Sequence, residues 1–291
     1  MKNIDRDHKL YTIENPLVSI YIPTHNRRKS LERALVSILV QTYKNIEVIV
    51  VDDGSTDDTE IFMKNFVHKH PQVHYLKHDT PKGANAARNY AIREAKGYFI
   101  TGLDDDDEFL PERIEKLVEA YDDKYAYVFS HIEIVSVKRR NRVVGAEKST
   151  ISLDDLLYSN IVGNQVLAPK EMFVQAGLFD EELPSAQDYD MWIRMLTIKP
   201  IAKVVLEPLY IVYEHHEGQI STSNKRFKGY FICYKKHKHM MTREHRKKTL
   251  AWLRYVKGKN NKSFKIINTL YPKNMRPRLY LGYMKRKYFA I

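Results

Sequence analysis

The sequence predicts an α/β fold, a mainly parallel sheet with helices on both faces. Three observations predict it. From Val18 to Tyr121, strand-like and helix-like segments alternate in units of ~25 residues, the pattern of parallel crossover units. The second apolar segment, Ile46–Val51, is a nearly continuous β-branched run, as expected of a strand covered on both faces. Polar residues gather where successive strands end, and open parallel sheets bind ligands outside those C-terminal ends.

In chain order, Val18–Ile22 alternates and reads as a strand. Pro23 to Arg28 is a loop, with Ser30 placed to cap the helix that follows. Leu31, Leu35, Ile38 and Leu39 recur at helical spacing and mark one buried face. Ile46–Val51 closes at Asp52-Asp53-Gly54-Ser55-Thr56, and a helix carrying Phe62 and Phe66 inward comes next. Val73–Leu76 is a third strand, Pro81–Asn85 a loop, and Ala86–Ala95 a helix. Tyr98–Gly102 is the fourth strand and runs straight into Asp104-Asp105-Asp106-Asp107. Ile114, Leu117, Val118 and Tyr121 mark another helix.

The second half is less regular. Tyr125–Val137 is rich in strand formers, and Lys138–Thr150 reads as an exposed loop. Asn164–Ala168 reads as a strand and Lys170–Ala176 as a short helix ended by Gly177. A helix starting at Gln187 carries Trp192, Met195 and Leu196. Ile201–Tyr213 is strand-like, interrupted at Pro208.

The chain has 291 residues, enough for one large α/β domain with an appendage, and 43% apolar residues for its core. A single cysteine, Cys233, excludes an internal disulfide and fits a reducing compartment. The first fifteen residues are polar, so no signal peptide is expected. No apolar run approaches the ~18–20 residues of a membrane span, so the protein is expected on the cytosolic side. The net charge of +12 is uneven: from Lys225 to Ile291 there are 21 Lys and Arg against one acid, Glu244, which leaves −8 on the rest. Such a tail suggests an anionic partner: lipid head groups, nucleic acid or the acidic body itself. Phe227, Tyr230, Phe231 and Tyr234 form an aromatic stripe in it. The stripe suits either a membrane interface or packing on the main domain. Lys235, Lys236, Lys247 and Lys248 are the basic residues expected to meet lipid.

Four adjacent carboxylates resist ionising together. Alone they read as a solvated acidic loop. At a strand end, oxygen-only ligands also suit a hard divalent ion, Mg2+ or Mn2+. Asn26, Asp53 and the Asp run all fall at strand ends of separate units, which favours a composite site over a stray acidic loop.

Five motifs then resemble one family: Pro16–Asn26, Val51–Asp57, Gly83–Asn89, Leu103–Asp107 and Gln187–Trp192 are similar, in order and spacing, to the family 2 glycosyltransferases. The resemblance implies an inverting enzyme of the GT-A fold, Rossmann-like, using a nucleotide-diphosphate sugar. It implies a glycosyltransferase domain over 16–220, with a nucleotide-binding half at 16–123 and an acceptor-binding half at 124–220. Residues 1–15 are then an N-terminal extension and 221–291 a basic, mostly helical segment.

By the same resemblance, Pro23, Asn26, Asp53, Arg88, Asp104 and Asp105 bind the nucleotide sugar. Asp53 takes a hydrogen bond from the uracil N–H and Arg88 touches nucleotide or phosphate. Asp106, Asp104 and His216 hold the Mn2+ or Mg2+ ion, with His215 the alternative to His216. Asp188 is the catalytic base. The family commonly has a small residue at Asp105, which leaves the division of labour within the Asp run open; it usually has Glu at Gln187, so one negative charge beside Asp188 is missing, and often Arg at Glu214, at the histidine end of the site. The implied function is transfer of a hexose, Glc or Gal, from a UDP-sugar to a lipid-linked saccharide such as GlcNAc-diphosphate-undecaprenol. The expected product is a β-linkage, within O-antigen, lipopolysaccharide or another bacterial surface polysaccharide. The enzyme is then expected as a peripheral protein on the cytoplasmic face of the inner membrane, on an anionic surface.

Other readings fit less well. A Rossmann dehydrogenase needs Gly-x-Gly-x-x-Gly where Pro23-Thr24-His25-Asn26 stands. A sugar nucleotidyltransferase wants a Gly-rich basic loop at that point. A nucleic-acid-binding protein explains the tail but not the carboxylates, so no nucleic acid is expected.

Overall fold

The computed structural model describes residues 14–136, 140–163, 165–214 and 223–258. β1 (Val18–Thr24), β2 (Ile46–Asp52), β3 (Val73–Lys77) and β4 (Phe99–Gly102) are parallel, in the order β3-β2-β1-β4. They are linked by α1 (Arg28–Leu39), α2 (Thr59–Lys69) and α3 (Ala84–Glu94). Successive side chains point to opposite faces of a strand. Ile20, Ile22, Val48 and Val50 therefore share one core with Leu31, Leu35 and Ile38 of α1. Tyr21, Ile49 and Val51 share the other with Ala87, Ala91 and Ile92 of α3. Burial on both faces is why these strands read as unbroken apolar runs.

Ser30 does not cap α1; it lies inside the helix, and no side chain of the preceding residue caps it. Asn26 sets this boundary. Its Oδ1 accepts from the Thr56 N–H at 2.8 Å, and its own N–H donates to Ser55 Oγ at 2.8 Å. The chain is thereby pinned to the loop after β2 and enters the helix at Arg28.

Past the Asp run come β5 (Glu108–Phe109) and α4 (Arg113–Glu119), then β6 (Val128–Ser136). The stretch expected as an exposed loop instead holds β7 (Arg142–Val144), exposed but paired antiparallel with β6 through Ile132 and Val144. The β-branched pair Val143-Val144 favours this edge position. β8 (Thr150–Ser152) and α5 (Leu153–Tyr158) follow. Ser152 and Asp155 form a capping box at the start of α5, a sequence signal that the reading above passed over. The expected strand near Ala168 reduces to β9 (Ala168–Pro169), antiparallel to β4, with Asn164 outside the described residues.

α6 (Lys170–Gln175), α7 (Gln187–Ile198) and the long β10 (Ile201–Glu214) complete the body. β10 runs parallel to β6 with a register shift around Pro208, where the missing N–H interrupts the ladder. A second, mixed sheet has the order β5-β10-β6-β7, with β8 also on β10.

The tail begins with α8 (Ser223–His237) and α9 (Arg243–Gly258). The aromatic stripe turns partly inward: Tyr230 and Tyr234 pack against the main core, and Tyr230 meets the Tyr189 ring at 5.9 Å. Phe227 and Phe231 stay half-exposed, stacked on each other at 5.8 Å. Two of the basic residues expected to face lipid do not. Lys236 pairs with Asp180 and Asp190, and Lys248 is buried with its ammonium 5.0 Å from the Tyr158 ring centre. Acidic partners and an apolar surface on the body draw them inward.

Candidate active site

The Asp run leaves the C-terminal end of β4, beside the ends of β1 and β2. Its four carboxylates divide. Asp107 is buried and accepts from the Tyr210 hydroxyl of β10 at 2.9 Å. Asp105 is also buried, bonded to Thr24 Oγ1 at 2.7 Å and Arg27 Nη1 at 3.1 Å. Burial pushes the Asp105 carboxyl up to about 6, against the pull of Arg27. Asp104 and Asp106 are half-exposed. Arg27 Nη1 also pairs with Asp106 Oδ2 at 2.8 Å, and Arg33 Nη2 donates to the Asp106 carbonyl at 2.6 Å. Sequence reasoning missed Arg27 and Arg33, because no motif distinguishes them from helix-surface arginines.

The donor chemistry fits a hard divalent ion: Asp104 and Asp106 are half-exposed carboxylates at a strand end, and Arg88 and Arg27 each engage only one oxygen of their partner, Asp104 Oδ1 and Asp106 Oδ2. His215 and His216 lie outside the described residues.

Arg88 is buried on α3. Its Nη2 donates to Asp104 Oδ1 at 2.9 Å and its Nη1 to Asn85 Oδ1 at 3.2 Å. It therefore orients Asp104 from beneath. Gln165 adds a weaker contact, Nε2 to Asp104 Oδ1 at 3.4 Å, and its Oε1 accepts from the buried Tyr21 hydroxyl at 2.6 Å.

Asp53 sits just past β2. Its Oδ1 meets His78 Nδ1 at 2.8 Å and the Lys82 N–H at 2.7 Å, and its Oδ2 accepts from the Gly83 N–H at 2.7 Å. Burial disfavours the charge, but these hydrogen bonds outweigh it and hold Asp53 below the usual carboxylate range. Gly83 has φ +98°, a conformation open mainly to glycine, and it immediately precedes α3. Asp53 thus fixes the entry to the helix that carries Arg88. Pro23 is buried in β1, opposite Val51, and shapes the strand end; Asn26 ties the β1 and β2 loops together.

Asp188 lies in the first turn of α7, which opens from Ala186 in a left-handed conformation with φ +59°. Asn160 Nδ2 donates to Asp188 Oδ2 at 3.0 Å. Burial raises the Asp188 carboxyl above its ordinary range, with a further push from Asp104 and an opposing pull from Arg88. The structure therefore brings Asp188 into electrostatic reach of Asp104 and Arg88, although more than eighty positions separate it from both in sequence.

Arg113 was also missed. It is fully buried, donates to Ser130 Oγ at 2.6 Å and the Gln165 carbonyl at 2.9 Å, and lies against the rings of Phe109 and Tyr210. Burial lowers it to about 10. It braces the side of the Asp run that Tyr210 holds. Its sequence context, a helix start after Pro111, gave no sign of burial.

Comparison with known proteins agrees with this geometry. The family model described as glycosyl transferase family 2 matches residues 19–175. The chain is 36% identical over 251 residues to WcaA of Escherichia coli K12, which is named as a colanic acid biosynthesis glycosyl transferase; the match covers 84% of this chain and 90% of WcaA. It is 29% identical over 220 residues to the GalNAc(5)-diNAcBac-PP-undecaprenol beta-1,3-glucosyltransferase of Campylobacter jejuni, covering 74% of this chain and 71% of that one. Among solved structures, S. aureus TarS 1-349 in complex with UDP-GlcNAc superposes with a TM-score of 0.68 at 18% identity, covering 87% of this chain and 79% of that one. The mannosyltransferase PcManGT of Pyrobaculum calidifontis, in complex with GDP-Man and Mn2+, gives 0.65 at 20% identity, covering 94% and 81%. The chain has the α/β GT-A fold with a mainly parallel sheet, and it belongs to glycosyl transferase family 2.

Proposed function

We propose that this glycosyltransferase moves a hexose, glucose or galactose, from a UDP-sugar to a lipid-linked saccharide, with inversion, in the synthesis of a bacterial surface polysaccharide such as O-antigen. The observation that carries the reading is the Arg88–Asp104 pair, 2.9 Å apart at the C-terminal end of the sheet, whose charges also act on Asp188. The named roles of WcaA and of the Campylobacter undecaprenol-linked glucosyltransferase support the pathway and the acceptor class. The TarS complex with UDP-GlcNAc supports the donor class.

In this reading Asp53 meets the uracil N–H with lone pairs not used by His78, Lys82 and Gly83. Asp104 and Asp106 would hold a divalent ion, Mn2+ or Mg2+; PcManGT is in complex with Mn2+. When bound, the ion offsets negative charge growing on the departing diphosphate. Asp188 takes the proton of the acceptor hydroxyl. Its raised pKa makes it a stronger base than an exposed carboxylate, and such help is typically worth ~10²–10⁴-fold. Attack from the face opposite the diphosphate turns a UDP-α-sugar into a β-linked product.

The exposed basic residues of the tail, Lys235, Lys238, Lys247 and Arg254 among them, support reversible binding to an anionic leaflet at ~1 kcal/mol per residue near the surface. Among the described residues no helix is long and apolar enough to cross a membrane. The test is incubation with a panel of UDP-sugars and a synthetic GlcNAc-diphosphate-lipid, with and without Mn2+. Transfer from one UDP-hexose in the presence of Mn2+ is expected. Transfer only from GDP- or CMP-sugars would overturn the donor assignment.

A further inference from the structure

Beside the base, α7 carries a second carboxylate, Asp190, which is fully buried. Arg194 Nη2 pairs with its Oδ2 at 2.9 Å, and Lys236 Nζ and His237 Nε2 each approach its Oδ1 at 2.8 Å. Burial opposes charge on Asp190, but these three partners outweigh it and hold the group well below the usual carboxylate range. Asp190, Cys233 and His237 also bring metal-ligating atoms within 4.8 Å of one another. Here the carboxylate is fully buried and both of its oxygens are engaged, Oδ2 by Arg194 and Oδ1 by Lys236 and His237, so the cluster is an ionic joint.

What the joint connects is informative. Lys236 and His237 belong to α8, in the tail. Lys236 also reaches Asp180 at 2.7 Å, in the segment that leads to α7. The Asp180 and Leu183 carbonyls of that segment accept from Asn85 of α3, one helical turn from Arg88. Gly229 lies flush against Ser185, where an added Cβ would come within 2.2 Å of the Ser185 carbonyl oxygen. Tyr230 packs on Tyr189, the residue next to Asp188 on α7, with ring centres 5.9 Å apart, and Asn160 holds Asp188 itself. The segment carrying the base is thus clamped between α3, which also holds Asp104, and α8.

We propose that α8 is a working part of the acceptor half, and that Lys236 and Tyr230 are positioning residues for Asp188. This rests on the reading of Asp188 as the base. A neutral residue at position 236 leaves the buried Asp190 short of one cationic partner, and a misplacement of about 1 Å at a reacting group can cost ~10²-fold in rate.

The test uses the full chain, a short soluble acceptor and a temperature well below unfolding. Lys236→Met is expected to lower kcat ~10-fold or more while donor KM and UDP affinity hold, and Lys236→Arg to recover most of the loss. Tyr230→Leu, which removes the ring that packs on Tyr189, is expected to lower kcat in the same direction, and it carries the test if Lys236→Met does not fold. Wild-type kcat in Lys236→Met with a lowered Tm would make the joint purely structural and overturn the proposal. So would a loss confined to lipid-bound acceptor on anionic vesicles, which would make Lys236 a membrane contact. Asp188→Asn in the same assay separates the two layers. If it keeps full turnover, the base assignment fails; if it is inactive while Lys236→Met and Tyr230→Leu are normal, only the role of α8 fails.

Discussion

The two halves of the site hold their carboxylates by different means. In the proposed donor half Asp53 is fixed by the main-chain N–H groups of Lys82 and Gly83 together with His78, and Asp104 stands where a parallel strand ends, held by Arg88. In the acceptor half Asp188 and Asp190 are fixed by side chains from distant segments: Asn160, Arg194, Lys236 and His237. The sheet supplies the first arrangement almost as a consequence of its topology. The second depends on particular side chains, so single substitutions there should act on turnover with little effect on donor binding.

The largest expected effects test this division. Asp106→Ala, or excess chelator, should reduce transfer to near background in an initial-rate assay, because the diphosphate loses its counter-charge; full activity in chelator would remove the metal from the account. Asp188→Asn keeps the shape of the base but not its basicity. Turnover should fall at least ~10²-fold while calorimetry shows unchanged UDP affinity. A parallel collapse of UDP binding would make Asp188 structural.

Gly83→Ala sharpens the contrast from the donor side. At φ +98° the added Cβ is strained, so the expected cost is about 1 kcal/mol or more of stability, read by denaturant unfolding. UDP affinity should weaken with it, since Gly83 N–H bonds Asp53. The acceptor half predicts a pH effect instead. As the proposed base, Asp188 would act only when ionised, and its carboxyl is raised, so the acid limb of kcat should lie above the ordinary carboxylate range. An acid limb at the value of an exposed aspartate would contradict the burial seen here.

The smallest effect concerns the tail. Burial lowers the Lys248 ammonium to about 7, below its value of ~10.4 in an unfolded chain. Between those two values the unfolded state binds more protons, so this group makes stability rise with pH across that window. Lys248→Met should flatten that slope in thermal unfolding.

The same contrast decides what could be read from sequence. The strands of the donor half are covered on both faces, so their apolar runs announce them, and Asp53 and Asp104 follow from where the runs stop. Asp188 was found through a motif, whereas Asn160, Lys236 and His237 were not, because contacts across 28 to 47 positions leave no periodicity. Arg113 and Lys248 were invisible for a related reason. Charged residues are seldom buried; aromatic rings pack against both of these, and Ser130 and the Gln165 carbonyl also accept from Arg113. The tail's stripe was legible as an apolar helix face, but its partner was not.

The most direct test of the central claim is the anomeric configuration of the product. Transfer from the active UDP-α-hexose to a GlcNAc-diphosphate-lipid, followed by NMR of the anomeric proton and carbon, should give a β-linkage. That result requires the acceptor to attack opposite the diphosphate, where Asp188 takes its proton. An α-linked product would contradict the account, because it places the attacking hydroxyl on the diphosphate side of the sugar and leaves Asp188 no proton to take.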